Sequence, residues 1–433
     1  MKAKKAGPSQ VSVKPSVPPM WRGWLAGGST GLLHALAYPN AGIGWLAMLA
    51  YMPMMLWLWK DRPSLRRAML SGLFAGTVLH AVGHYWIAFT LRKMTGMPAA
   101  AAWAIVLVYS LGMGLHQAAW AWCCAVIRTE KIRPLPWALA TAALWTAVEF
   151  AIPFQFPWFL GNALFETPVW MQAADIVGIW GVTLLCVSLS ACAFAFLASV
   201  GRRERLTALA ALTVVASLWY GYGAWRLATI DAVKATSSLK VALIQPNPTI
   251  AEKTSLKPMP RIPLQDRAER LTRAVLKQSK EASAAEIDLV VWPEGSLPFY
   301  YVHKEVAPLA PVGVRTRAPP VVKHATHRAH LFAKSLNKPL LLGALRRDDA
   351  LWKTKAHNSA MLLDREYPRA IYDKKKLVPF GEYLPGTGLV PGLADAIPGV
   401  SDLAPGRAPS LMNIAGRQIG VNICYEALFA GFM

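Results

Sequence analysis

The chain has 433 residues, of which 54% are hydrophobic and 16% charged, and its mean hydropathy is +0.31. That balance excludes a single water-soluble domain and equally a chain lying wholly in a membrane, so two parts are expected. The net charge of +22 has its 19 basic and 7 acidic side chains up to residue 238 set mostly between apolar runs, and 27 and 17 scattered after it; with no nucleic-acid motif present, nucleic-acid binding is set aside in favour of membrane topology.

The N-terminal tail, residues 1–21, carries Lys2, Lys4, Lys5 and Lys14 and is expected to be cytoplasmic. Seven apolar stretches follow, at about 23–39, 43–59, 68–91, 98–127, 135–152, 170–200 and 206–225. Most approach the ~20 residues that span a bilayer. Together they predict an α-helical membrane domain over 22–230. The junctions after the second, fourth and sixth stretches are basic (Lys60 to Arg67, Arg128 to Arg133, Arg202 to Arg205), whereas those after the first and fifth have no Lys or Arg. The positive-inside rule then puts the N-terminus in the cytoplasm and everything after residue 230 across the membrane. No signal-peptide cleavage site intervenes before the second stretch. The turn "EFAIPFQFPWFLGNALFETPVW" is aromatic and proline-rich. It is either an interfacial aromatic belt or the wall of a lipid-facing cavity, with Glu149 at its mouth.

Cys123, Cys124, Cys186 and Cys192 lie inside apolar runs and read as small buried hydrophobes. Cys424 is the single cysteine after them, so the polar half contains no internal disulfide.

Residues 239–433 read as an α/β domain. "SLKVALIQPN" and "IDLVVWPEG" are buried strands, the first ended by Pro246 and Asn247 and the second by Pro293-Glu294-Gly295. Between them "LQDRAERLTRAVLKQSKEA" has helical spacing, with Leu264, Ala268, Leu271 and Val275 on one face. "HRAHLFAKSLN" is a helix, and "KPLLLGAL", "HNSAMLLD", the start of "PRAIYDKKKLVPFGEYLP" and "RQIGVNICYE" are strands. Polar groups at strand ends gather in such folds. Here those ends deliver Glu294, Lys374 and Cys424. A thiol attacking an acyl carbon needs a base and a positive group for the oxyanion. Glu294 suits the first role and Lys374 the second. Only its spacing selects Lys374 over Lys375 and Lys376. Glu382, eight residues on, can pair with the lysine; Tyr425 and Glu426 flank the thiol. His324, His327 and His330 stand three apart, but Lys323 and Arg328 beside them oppose a cation, so a basic surface near lipid headgroups is expected rather than a metal site.

"VVWPEGSLP", "YDKKKLVPFGEYLP" and "NICYE" resemble the three signature segments of the nitrilase (carbon–nitrogen hydrolase) superfamily. Downstream of several spans, and with "HYWIAFTL" and "FPWFLGNALFETP", the chain from residue 21 on resembles the apolipoprotein N-acyltransferase family in particular. The resemblance implies a multi-pass protein of the bacterial inner membrane whose αββα nitrilase-like domain, 239–433, lies in the periplasm. It implies Glu294 as base, Lys374 as oxyanion stabiliser and Cys424 as nucleophile, with Glu382, Tyr425 and Glu426 in support and Trp158 matching a family tryptophan near the cavity. The implied partners are a phospholipid acyl donor, phosphatidylethanolamine in the usual case, an apolipoprotein acceptor and membrane lipids; no cofactor is implied. Two departures from the family pattern stand out. Pro246 follows Gln245 where the family carries glycine, and no tryptophan occurs between Trp225 and Trp292. Family segments that follow the cysteine are not found in the residues up to Met433, so the domain is expected to be partial at its C-terminus. Two further readings follow: an altered, non-enzymatic accessory of a membrane assembly such as a conjugal transfer system, and a soluble-amide nitrilase fused to an anchor, which seven spans disfavour.

Overall fold

The computed structural model describes residues 18–38, 41–232, 238–249, 262–281, 286–297, 300–302, 320–347, 355–364, 368–379, 381–383, 402–407 and 411–429. The lysines of the N-terminal tail lie outside them, as does the side chain of His324. The chain divides into two compact units, Met1–Val233 and Lys234–Met433.

The first unit is helical: α1 (Trp21–Ala37), α2 (Met52–Asp61), α3 (Leu65–Gly83), α4 (Trp86–Thr95), α5 (Ala99–Met113), α6 (Leu115–Val126), α7 (Pro134–Ala151), α8 (Pro168–Met171), α9 (Ala174–Ala198) and α10 (Arg202–Ala232). Prolines set several boundaries: Pro98 precedes α5, and Pro134 and Pro168 open α7 and α8. Among the described residues three segments are long and apolar enough to cross a membrane: Ala99–Val126, Ala174–Ala198 and Arg202–Ile230. Of the other expected stretches, 135–152 is one unbroken helix, α7, of 18 residues, and two are interrupted. That at 43–59 begins as a 3-10 turn (Gly44–Met48) before α2, and that at 68–91 breaks between α3 and α4. α9 kinks at Gly178, whose φ of 64° leaves the helical region.

α1 and α3 meet through small residues. A Cβ at Gly27 would stand 2.5 Å from the Ser71 carbonyl oxygen, and one at Gly31 2.2 Å from that of Ala75. Only glycine allows this backbone approach, the packing device of helices in a solvent as apolar as their side chains. The interior holds Tyr51, Met54, Met55, Trp120, Trp137 and Trp145, all fully buried. Two of the indoles donate to backbone, Trp120 to the Thr141 carbonyl at 2.9 Å and Trp137 to that of Cys124 at 3.1 Å.

The second unit is built on a mixed sheet in the order β1 (Val241–Leu243), β2 (Leu289–Val291), β4 (Leu340–Arg347), β5 (His357–Leu363), β6 (Pro368–Asp373), with β3 (Tyr301–Val302) also pairing β4. β1, β2 and β4 run parallel; β5 and β6 are antiparallel additions. Alternation along the strands separates two cores. Val290, Leu340, Leu342, Met361 and Leu363 point to one face and pack with Ala268 of α11 (Ile262–Glu281) and with Ala329, Phe332 and Ala333 of α12 (Pro320–Leu336). Leu289, Ala360, Leu362 and Tyr372 point to the other, against Met412 and Ile414 of a hairpin, β7 (Leu411–Ile414) and β8 (Arg417–Gly420).

Two expectations shift. On α11, Leu264 and Ala268 are buried, but Leu271 is 37% exposed and Thr272 is buried in its place. The i, i+4 row 264, 268, 272 wins because Thr272 accepts a hydrogen bond from the Trp292 indole at 2.9 Å. The last strand ends at Gly420. Cys424 stands beyond it, opening a 3-10 turn over Cys424–Leu428.

Candidate active site

Glu294 follows β2 by way of Trp292 and Pro293. Gly295, at φ 64°, turns the chain there. On the adjoining strand Gly343 leaves room for it: a Cβ at that position would stand 2.5 Å from the Pro293 oxygen and 2.7 Å from the Glu294 Cα. β6 runs out into Lys374, whose side chain is 1% exposed. The preceding residue, Asp373, is clamped by Arg346 at 3.1 and 2.7 Å and by the Ser359 hydroxyl at 2.6 Å. Burial alone pushes the Asp373 carboxyl up, but Arg346 and Ser359 outweigh it and hold the group below its ordinary range.

The Lys374 ammonium is 2.9 Å from Glu382 Oε2, 3.0 Å from Oε1 and 3.5 Å from Glu294 Oε1. A buried ammonium needs such partners to remain charged. Asn358, at the start of β5, joins the two carboxylates: its amide donates to Glu294 Oε1 at 2.6 Å and to Glu382 Oε1 at 2.7 Å. Glu382 also accepts the Val378 N–H at 2.8 Å, which closes the loop after Lys374.

The Cys424 residue is exposed and takes φ 51°, a conformation that a non-glycine residue adopts only when its surroundings impose it. Its thiol is pushed up by partial burial first and by the neighbouring Glu294 carboxylate second, with Lys374 pulling the other way. The two catalytic candidates Glu294 and Cys424 share the lining of a cavity of about 190 Å³. The turn at Cys424 is held by Glu426, which is fully buried. Its carboxylate accepts from the Tyr372 hydroxyl at 2.7 and 2.8 Å, from the Lys375 and Lys376 N–H groups at 2.7 and 3.0 Å, and from the Ile423 N–H at 2.9 Å. Tyr425 packs edge-on against Phe429 with ring centroids 5.0 Å apart.

The structure therefore gathers Glu294, Lys374, Glu382, Cys424, Tyr425 and Glu426 in the second unit. Glu149 and Trp158 belong to the first. Glu149 is buried and both its oxygens are engaged: it accepts the Leu160 N–H at 2.9 Å and the Thr183 hydroxyl at 2.8 Å, tying α7 to the following turn and to α9. Trp158 packs at a tilt against Tyr38 and His84, with ring centroids 4.7 and 4.9 Å apart, and its carbonyl accepts the Tyr38 hydroxyl at 2.7 Å. Of the three histidines on α12, His330 is 2.6 Å from the Tyr301 hydroxyl and His327 is exposed. Asn358 is the member that sequence reasoning did not find.

The arrangement provides a thiol beside a carboxylate, with a buried ammonium facing both. It is suited to forming and breaking an acyl bond to sulfur. Known proteins resemble the chain over most of its length. Residues 30–193 match a family model described as the apolipoprotein N-acyltransferase N-terminal domain, and residues 240–433 match one described as carbon-nitrogen hydrolase. Among curated relatives, an apolipoprotein N-acyltransferase of Azotobacter vinelandii is 32% identical over 428 residues, 96% of this chain and 75% of that one. Those of Geobacter metallireducens and Pseudomonas putida are 27% and 28% identical, covering 94% and 96% of this chain and 74% and 76% of their own lengths.

Proposed function

The chain belongs to the apolipoprotein N-acyltransferase family, and from that premise we propose that it moves an acyl chain from a phospholipid, through a thioester on Cys424, to the N-terminal amine of a diacylglyceryl-cysteine lipoprotein. The observation that carries this reading is the joining of Lys374 to Glu294 and Glu382, with Asn358 bridging the carboxylates and the Cys424 thiol beside Glu294.

In the first half-reaction Glu294 takes the thiol proton as sulfur attacks the ester carbonyl. Lys374 faces the oxyanion of the tetrahedral intermediate. Collapse breaks the ester C–O bond, and the proton on Glu294 goes to the departing lysolipid oxygen. In the second the amine attacks the thioester, Glu294 receives its proton, and the Cys424 thiolate leaves. Exclusion of water from the thioester favours the amine over hydrolysis. Phosphatidylethanolamine is the donor we expect.

The same reading places the protein in the bacterial inner membrane with seven spans, the N-terminus cytoplasmic and the nitrilase-like sandwich periplasmic. The alternating basic junctions and the outward apolar side chains of α10, such as Leu206, Val214 and Leu218, support it.

The test is intact-protein mass spectrometry after incubation with phospholipid vesicles. One acyl mass is expected on the wild type, sensitive to hydroxylamine, absent from Cys424→Ala and discharged by a diacylglyceryl-cysteine peptide. No adduct on the wild type, or an adduct that persists in Cys424→Ala, would sink the reading.

A further inference from the structure

A second cavity, of about 480 Å³, borders the turn that bears Cys424, with Tyr425 and Phe429 in its lining. It shares no lining residue with the one that holds Glu294 and Cys424. The two are nonetheless joined by consecutive residues, since Cys424 lines one and Tyr425 the other. Its walls are apolar and aromatic, with Leu377, Leu403, Tyr425 and Phe429 among them. Its charges are Lys355, Lys375, Lys376 and Asp402. Lys355 is neutralised by Asp402 at 2.6 Å. Lys375 and Lys376 are exposed and have no carboxylate partner among the described residues. Lys376 instead lies over the Phe429 ring, 5.5 Å from its centre. Their backbone is not free to drift: both N–H groups are bound by the Glu426 carboxylate that fixes the thiol's turn.

Two ammonium groups without a carboxylate partner among the described residues, one of them over the Phe429 ring, select a dianionic or monoanionic phosphate carrying apolar substituents. We propose that this cavity binds the phosphate of the acyl-donor lipid headgroup and so registers the donor's ester over Cys424. The inference rests on the acyl-transfer reading above for its occupant, and on the cavity alone for its chemistry. The glycerol backbone keeps phosphate and reactive ester a few bonds apart, and the two sites are one residue apart on the chain. Phosphate held by Lys375 and Lys376 thus leaves the ester at the exposed thiol.

The experiment compares the full chain with Lys375→Ala/Lys376→Ala and with Lys375→Arg/Lys376→Arg. Two readouts are used: Cys424 acylation as vesicle phospholipid is varied, and binding of an ether-linked, non-transferable phospholipid by tryptophan fluorescence. The alanine pair is expected to raise the phospholipid KM and weaken ether-lipid binding about tenfold each, and the arginine pair to restore both. Unchanged KM and unchanged ether-lipid binding in the alanine pair overturn the pocket while leaving acyl transfer standing. No acylation by the wild type, with ether-lipid binding that still depends on the two lysines, removes the acyl-transfer reading and keeps the pocket. Inorganic phosphate alone binding as tightly as the ether lipid would overturn the lipid as occupant.

Discussion

Cys424 sits between opposing charges, and its titration reports on both. The thiol lies above its ordinary range, so at neutral pH it is protonated, and in the acyl-transfer reading it depends on a base at the moment of attack. Its alkylation by iodoacetamide should therefore climb about tenfold per pH unit well past neutrality. Glu294→Gln removes a negative neighbour that disfavours thiolate, so the profile should move to lower pH; Lys374→Met removes the positive one and should move it to higher pH. A profile insensitive to both substitutions would contradict the placement of these groups. Asn358 touches neither thiol nor lipid in this reading; it positions the carboxylates. Asn358→Leu should slow thioester formation about tenfold, with the alkylation profile displaced as well, because Glu294 loses its donor.

The choice among Lys374, Lys375 and Lys376 was only partly legible in the sequence. Period-2 alternation along β6 sets Lys375 opposite to Tyr372 but carries Lys374 and Lys376 to its side alike. The structure separates those two, because the strand ends at Asp373 and only Lys374 is buried. Asn358 had no comparable signal. It reads as an ordinary polar residue at the head of an apolar strand. Its importance arises from the pairing of β5 with β4 and β6, and from Glu294 and Glu382, 64 and 24 residues away.

At the scale of elements, β2, β4 and β6 set the site, and their closeness is decided by one missing side chain. Gly343→Ala would press a methyl into the Pro293–Glu294 backbone, which cannot yield as a flexible side chain would. We expect thioester formation to fall about 100-fold while Cys424 remains alkylatable at high pH, the signature of a misplaced base beside an intact nucleophile. Wild-type acylation by this variant would show that the strand spacing is not limiting. The strands themselves were legible as apolar runs closed by Pro, Gly and Asn. The end of the last one was not: the apolar run in "RQIGVNICYE" continues past Gly420 and Asn422 to Ile423, yet the chain leaves the ladder at Gly420 and Glu426 gathers the N–H groups around it into a turn.

For the whole molecule the two-part composition was readable at once, from charge and apolar runs. The helix breaks were less so, since a stretch such as 43–59 is apolar throughout yet opens with a 3-10 turn that is packed against Leu160–Leu164. Topology offers a direct check. Cys424 is exposed, Cys123 is partly exposed, and Cys124, Cys186 and Cys192 are buried. A membrane-impermeant maleimide added to spheroplasts should label the wild type and spare Cys424→Ala. Labelling that requires prior permeabilisation would place the thiol on the cytoplasmic side.

The Glu426 carboxylate has a consequence for how the protein matures. It binds Tyr372, 54 positions earlier, and the two N–H groups that follow Lys374. Glu294 and Lys374 emerge from the ribosome well before the turn that bears the thiol, and domains begin to fold as they are made. Until Glu426 docks, no thiol stands beside the ammonium and carboxylates. On the acyl-transfer reading, reactivity is thereby withheld from the nascent chain, and acylation of Cys424 becomes a marker that this turn has docked.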